Sequence, residues 1–413
     1  MKKNKDFKIL LFGRFITNFG DSIYAIATMM LVYELTASSF YTGLALFLTS
    51  SMAIFQVLFS PMLERVDMKR FLVLSQFIQA VLLLLVAYLI YTNQITVFIL
   101  LLFMTIVSFI NQLVYPGQLS LLPKILDQNE LIKANSLFAI AYQGSDALFN
   151  ALGGFMIAII GTSTAFAIDS GTFLINAVLF LFLTDKIRQT NANRAEKVFD
   201  NHFKDLKAGL RVWKNPTLKS LLAGVLLINF SATAIFAILP EFATDSGYYG
   251  ILLSASGLGV IIGSIIANLD FMKNRKLGPT YISAILFTAV SWLATSFINQ
   301  TTSLGRFLTF TSFLVGWILV GMLNIYSQTI VQLIAPMDKL SIALSAMVGL
   351  SVALAPFGAL VAGFMSRYVS INLIIILACG LISIVGIYWY LSTSVRSMGD
   401  MVSLQNGVQV TND

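Results

Sequence analysis

Ionisable side chains inside long apolar stretches are the residues of this sequence whose types and spacing could do chemistry. Arg14 and Asp21 lie within the first such stretch, Phe7 to Glu34, and Asp146 lies within the fifth. An ionisable group in a membrane helix is expensive and marks function by default. The chemistry open to such a carboxyl group is proton transfer. Burial disfavours its charged form, so it takes up a proton in a dry cavity and releases it when water or a cation arrives. Asp21 equally suits a structural pair with Arg14 or with another helix. Arg14 either holds a neighbouring carboxylate ionised or snorkels to the inner membrane face. Asp146 shares its helical face with Gln143, Asn150 and Gly153 or Gly154. Other chemistries lack their residues. No GxxxxGK[ST], HExxH or CxxC occurs, and the single histidine, His202, lies in a polar segment. P-loop hydrolysis, zinc proteolysis and a Ser-His-Asp mechanism are thereby excluded, and no enzyme activity, metal or cofactor is expected. The single cysteine, Cys379, leaves no disulfide.

These groups need elements to position them. With 57% hydrophobic and 11% charged residues, the 413-residue chain is too apolar for a soluble domain, where about a quarter of residues are charged. Backbone polar groups in lipid must be satisfied internally, which makes helices the default. The long apolar runs are unlike the short alternating segments of a β-barrel. Twelve spans are expected, at approximately 9–33, 40–63, 71–91, 95–117, 136–160, 165–184, 219–242, 247–269, 278–298, 303–327, 343–365 and 370–393. The first run is too long for a signal peptide and no cleavage site follows it, so it reads as an uncleaved span. With the N-terminus inside, all but three of the 26 basic residues fall in inner segments, the exceptions being Arg14, Arg306 and Arg367. The positive-inside rule then places both termini in the cytoplasm. The same sorting explains the net charge of +7 and leaves no case for nucleic acid.

Arg14 and Asp21 are seven residues apart, about two turns on one face. Thr17 and Asn18 fall between them, and Ala25 and Thr28 continue the stripe. Such a helix wants lipid on one side and a wet cavity on the other. The polar segment 185–218 divides six spans from six. In it, Phe199, Phe203, Leu206, Leu210 and Trp213 form an apolar stripe among Lys204, Lys207, Arg211 and Lys214. This reads as an amphipathic helix on the inner membrane surface, a connector or a partner-binding element. The organisation is then a six-helix bundle over 1–184, a cytoplasmic linker over 185–218, a second six-helix bundle over 219–393 and a cytoplasmic tail over 394–413. The halves are related: Tyr115 to Asp127 (YPGQLSLLPKILD) aligns with Tyr326 to Asp338 (YSQTIVQLIAPMD), and Gly154-Phe155-Met156 with Gly363-Phe364-Met365. An internal six-plus-six repeat is a signature of secondary transporters, which bind substrate between the halves. Ser256, Gly259, Gly263 and Ala267 in span eight, Gly153 and Gly154 in span five, and Gly349, Gly358 and Gly363 in span eleven mark close helix contacts. They serve tight packing or a rocking surface between the halves.

Asn18, Asn111, Gln112, Tyr115, Gln143, Asn229, Asn324 and Gln328 are the polar candidates for a substrate cavity. Glu34 and Glu241 at outer helix ends, and Asp169 one turn into span six, occupy cheap positions and read as structural. A chain with 33 Phe and 15 Met offers an apolar, deformable cavity, which suits a bulky amphipathic organic molecule.

Three stretches carry a resemblance. Ser60-Pro-Met-Leu-Glu-Arg-Val-Asp-Met-Lys-Arg70 is similar to the loop between spans two and three of the major facilitator superfamily. Leu121 to Ser136 and Phe203 to Leu222 resemble segments of its branch of macrolide-efflux and enterobactin-type exporters. The resemblance implies an all-α polytopic membrane protein, with twelve transmembrane helices in two pseudo-symmetric six-helix bundles. It further implies a monomer in the bacterial cell membrane that exports an amphipathic, drug-like or macrolide-like compound by alternating access and proton antiport, contributing to antibiotic resistance. A siderophore or lipid-like cargo is the alternative, and a non-transporting membrane sensor the remote one. In the loop, Glu64, Arg65, Asp67 and Arg70 retain the charges of the superfamily's inner ion-pair latch. Glu64 replaces Asp, Asp67 replaces Gly, and Ser60 replaces the first Gly of that pattern. Val107 stands about where proton-coupled drug exporters carry an arginine in span four, which moves the weight of coupling onto Arg14, Asp21 and Asp146.

Overall fold

The computed structural model describes residues 4–59, 66–126, 159–184, 215–243, 245–267, 275–334 and 350–400, with scattered positions between 134 and 157 and at 269, 272 and 347. Among them every regular element is a helix. Among the described residues nine helices are long and apolar enough to cross a membrane. Every expected span but the fifth meets a helix. The fifth falls largely outside the described residues, as does most of 343–349 at the start of the eleventh. The expected amphipathic helix at 199–213 also lies outside them.

The helices are α1 (Lys5–Thr36), α2 (Ser39–Phe59), α3 (Met68–Tyr91), α4 (Val97–Ile125), α5 (Thr162–Leu181), α6 (Pro216–Ala243), α7 (Ser246–Ala267), α8 (Leu277–Ala294, continued by a 3-10 turn, Thr295–Phe297), α9 (Ser303–Ile334), α10 (Ala355–Met365), α11 (Ile371–Leu391) and α12 (Thr393–Arg396). Their starts follow local chemistry. Side-chain oxygens of Asn4, Asp67, Thr96 and Ser370 accept the N–H of Phe7, Arg70, Ile99 and Leu373. Each satisfies a donor that the first turn leaves without a partner. α1 ends at Ala37, whose φ of 46° is left-handed and whose N–H returns to the Tyr33 carbonyl at 2.7 Å.

The chain divides into two compact units. The first comprises residues 1–37, 45–201 and 243–254. Here α5 packs on α1 and α3, and α4 closes against the same pair. A hydrophobic cluster around Phe7, Leu10, Met68, Leu72, Leu113, Leu121, Phe138 and Phe180 fills one end. The second comprises residues 38–44, 202–242 and 255–413. Here α8 packs on α9 and α11. Trp292, Phe313 and Trp317 pack ring against ring at 5.2–6.2 Å, and Trp317 stacks on Phe236. The small residues of span eight serve this unit. A Cβ on Gly259 would meet Trp317, and one on Gly263 would lie 2.0 Å from the Ile318 carbonyl oxygen of α9. A Cβ on Gly358 would lie 2.0 Å from the Phe230 carbonyl oxygen, and one on Gly363 2.8 Å from the Ser39 carbonyl oxygen. All four sit where small residues let backbones approach closely, as expected in lipid.

Candidate functional site

The first unit gathers most of the polar residues singled out from the sequence. α1 supplies Arg14, Thr17, Asn18 and Asp21, and α4 supplies Asn111, Gln112 and Tyr115. Seven-residue spacing keeps Arg14 and Asp21 on one side of α1. Both Phe12 and Phe15, 59% and 44% exposed, take the opposite side. Thr17, Asn18 and Thr28 are buried, but Ala25 is exposed, so the stripe bends away from Ala25. Asp21 is half-buried and accepts a hydrogen bond from Asn111 Nδ2 at 2.9 Å. The Arg14 side chain is buried, with its guanidinium 5.4 Å from the centre of the Tyr115 ring. A cation over an aromatic face is attracted by the ring quadrupole. Asn18 donates to the Ala141 carbonyl at 2.8 Å. Gln112 is half-buried on the same stretch of α4. Gln143 and Asp146 lie outside the described residues.

α5 brings a residue that sequence reasoning placed wrongly. Asp169 was expected one turn into span six, at a cheap outer position. α5 begins at Thr162, three residues earlier than expected, which sets Asp169 about two turns inside. It is fully buried. Its Oδ1 accepts from the Thr172 hydroxyl at 3.0 Å, and among the described residues its Oδ2 has no hydrogen-bond partner. Gly20, the neighbour of Asp21, lies directly against it. A Cβ there would fall 2.1 Å from Asp169 Oδ1 and 2.3 Å from Thr172 Oγ1. Seven residues earlier, Gly13 makes the same kind of contact with Asn176, which donates to Gln76 Oε1 of α3 at 2.8 Å. Ser170 donates to the Ala80 carbonyl of α3 at 2.7 Å. A polar seam of Asp169, Thr172 and Asn176 thus runs along α5 against the glycines of α1 and the glutamines of α3. Spacings of three and four in Asp169-Thr172-Asn176, and of three in Gln76-Gln79, were the available signal.

The charged residues of the 60–70 loop fall into two groups. Glu64 and Arg65 lie outside the described residues. Asp67 caps α3, and its Oδ2 pairs with Arg70 Nε at 3.3 Å, three residues along the same helix, where the Arg70 side chain is 74% exposed. Lys69 reaches the Leu183 carbonyl at the end of α5. In the second unit Asn229 donates to the Ser351 carbonyl at 2.8 Å, Asn324 is exposed, and Gln328 lies on α9. The Tyr281 hydroxyl sits 2.6 Å from Ser327 Oγ and donates to the Leu323 carbonyl at 3.0 Å. Ser39 donates to Glu241 at 2.5 Å, and the Thr42 hydroxyl donates to the Ala237 carbonyl.

Comparison with known proteins places this arrangement. Residues 10–269 match the Major Facilitator Superfamily. Two proteins of Bacillus subtilis (strain 168) described as uncharacterized MFS-type transporters are similar over much of the chain. YkuC is 26% identical, with 68% of each chain covered. YfmI is 21% identical over 70% of this chain and 72% of its own. Among solved structures, a bacterial homologue of the human lysosomal transporter Spinster, inward-facing and unoccupied, superposes with a TM-score of 0.64 at 12% identity. It covers 97% of this chain and 99% of its own. A bacterial homologue of the iron transporter ferroportin gives 0.65 at 15% identity, over 93% and 98%. The nucleoside transporter NupG gives 0.68 at 14% identity, over 94% and 99%. At these identities the solved structures share the fold.

Proposed function

Because the chain belongs to the Major Facilitator Superfamily, and is thus a polytopic α-helical membrane transporter, we propose that it exports an amphipathic organic compound by alternating access in exchange for protons. The observation that carries this reading is Asp21. It is a half-buried carboxyl group near the middle of a 32-residue apolar helix, held by Asn111 and set among buried polar side chains. An unpaired carboxylate at that depth is costly and a neutral acid is tolerable. Its proton traffic is therefore tied to whether water reaches it. In this reading residues 1–184 and 219–393 are the two six-helix halves, joined by a cytoplasmic linker at 185–218. Both termini face the cytoplasm of a bacterial cell, and the protein acts as a monomer. Asn18, Asn111, Gln112 and Tyr115 are the first half's candidate polar points for cargo, and Asn229, Asn324 and Gln328 the second half's. Gln143 and Asp146 complete the first half's share. Arg14, buried over Tyr115, supplies the cation that can hold a carboxylate ionised. A macrolide-like or other drug-like cargo fits the abundance of phenylalanine and methionine. The charges at Glu64, Arg65, Asp67 and Arg70 stand at the inner gate.

The test is uphill transport in proteoliposomes. A panel of labelled amphipathic compounds is offered with and without a pH gradient, with and without an uncoupler. Wild type accumulates at least one compound only with the gradient. Asp21→Asn, which keeps size and hydrogen bonding but cannot titrate, retains binding and exchange down a cargo gradient and loses accumulation. Normal accumulation by Asp21→Asn, and its loss in Asp146→Asn, transfers the role to Asp146. Normal pumping by both refutes the coupling assignment.

A further inference from the structure

We propose that Asp169 forms a two-carboxyl proton site with Asp21, in which Asp169 is the buried store and Asp21 the group that exchanges with water. The inference rests on the proton-antiport reading and adds a second acid on a different helix. Asp169 is fully buried on α5 against α1, with Thr172 on Oδ1 and no partner on Oδ2 among the described residues. The titratable groups that face it from the packed helices are Asp21 and Tyr24 of α1, both within electrostatic reach. α3 meets α5 with Ser75, Gln76 and Gln79, which are neutral, and α5 carries no other titratable residue. Arg14, two turns from Asp21, turns its guanidinium to Tyr115 of α4. Among the described residues no cation therefore compensates Asp169. An isolated buried carboxylate neutralises instead of ionising, so the acid holds its proton.

The geometry gives that proton an exit. Asp169 Oδ1 rests against the backbone of Gly20, the residue preceding Asp21, and no side chain at position 20 separates the two acids. Asp21, unlike Asp169, is partly exposed. Transfer breaks the O–H bond on Asp169 and forms one on an Asp21 carboxylate oxygen, and the single negative charge of the pair changes places. Asp21 then releases the proton to water. Like charges held close cannot both ionise freely, so the pair carries one proton at a time, and it belongs to the pair as a unit.

The experiment is infrared difference spectroscopy of the full-length protein in lipid, without cargo, across a pH titration, beside the transport assay. Wild type shows the carbonyl stretch of a protonated carboxyl group at neutral pH. Asp169→Asn abolishes that band, and Asp21→Asn leaves it but shifts its frequency. Thr172→Val, which removes the hydroxyl from Oδ1, also shifts the band, and decides the matter if Asp169→Asn fails to fold. Gradient-driven accumulation in Asp169→Asn falls about a hundredfold, within the range for loss of a positioned proton-transfer group. An unchanged band in Asp169→Asn, a band insensitive to both Asp21→Asn and Thr172→Val, or loss of the band on adding sodium at constant pH overturns the proposal. Spectra as expected with no gradient-driven export refute antiport and leave the proton pair standing. Export with an unchanged Asp169→Asn spectrum refutes the pair alone.

Discussion

Gly20→Ala tests the packing that brings α1 onto Asp169. The added Cβ would lie 2.1 Å from Asp169 Oδ1 and 2.3 Å from Thr172 Oγ1. Contacts under 3.0 Å are essentially never seen, so these atoms must yield by at least 0.9 Å (3.0 minus 2.1) and 0.7 Å (3.0 minus 2.3). Both belong to short side chains on a buried helix face, with little room to swing away. Overpacking of this kind costs about 1–3 kcal/mol. An alanine also favours the helix over glycine by about 1 kcal/mol in water, which obscures the effect if Gly20→Ala is compared with wild type. Gly171→Ala removes that ambiguity. It makes the same chemical change in α5 at a position where a Cβ meets nothing within 4 Å. The difference between the two variants isolates the clash. At about 2–4 °C per kcal/mol for domains of this size, Gly20→Ala should melt about 2–12 °C below Gly171→Ala. The assay is thermal unfolding of purified protein in one detergent, followed by monodispersity on a sizing column. If the two variants melt together, the close approach of α1 to α5 is not as described, and the exit route from Asp169 falls with it.

Two further outcomes follow from the helix ends. With Cys379 replaced by serine, cysteines at Ser38 and Thr301 should react with an impermeant thiol reagent added outside, and one at Lys276 should not; the reverse pattern inverts the topology. Asp67→Ala should lower stability by about 0.5–2 kcal/mol through loss of the α3 cap, and Arg70→Ala by under about 1 kcal/mol because its ion pair is exposed. A larger loss in Arg70→Ala, read in the same melting assay, would show that Arg70 holds more than its own helix.

The spans were legible because the bilayer imposes one constraint on every helix, a run of apolar residues of fixed length. Boundaries were less so. α4 runs to Ile125 and α9 to Ile334, beyond the expected ends at 117 and 327, since hydropathy records the apolar run and not the helix that continues past it. Arg14 and Asp21 announced themselves as charges in an apolar run. Asp169 carried the same signal and was discounted, because its depth was counted from a helix start set three residues late. Its burial depends on Gly13 and Gly20 of α1 and on Gln76 of α3, partners distant in sequence. The contact between Asn176 and Gln76 is invisible from either helix alone. Asp67 was legible as an acid before an apolar run but was assigned to a latch, whereas a residue just before a helix is as well placed to cap it.

α1 and α5 are joined along their whole shared length. Asp6 accepts the Thr184 N–H at 3.1 Å and its hydroxyl at 2.6 Å. Gly13 then meets Asn176, Gly20 meets Asp169, and the Tyr24 ring sets its edge to Phe166 at 5.5 Å. Fastened at four levels, the two helices should open to solvent together, their amides exchanging as one cooperative unit in hydrogen exchange. The start of the chain's first helix is thereby linked through α5 to Asp169, and directly to Thr184, after which the polar 185–218 segment begins.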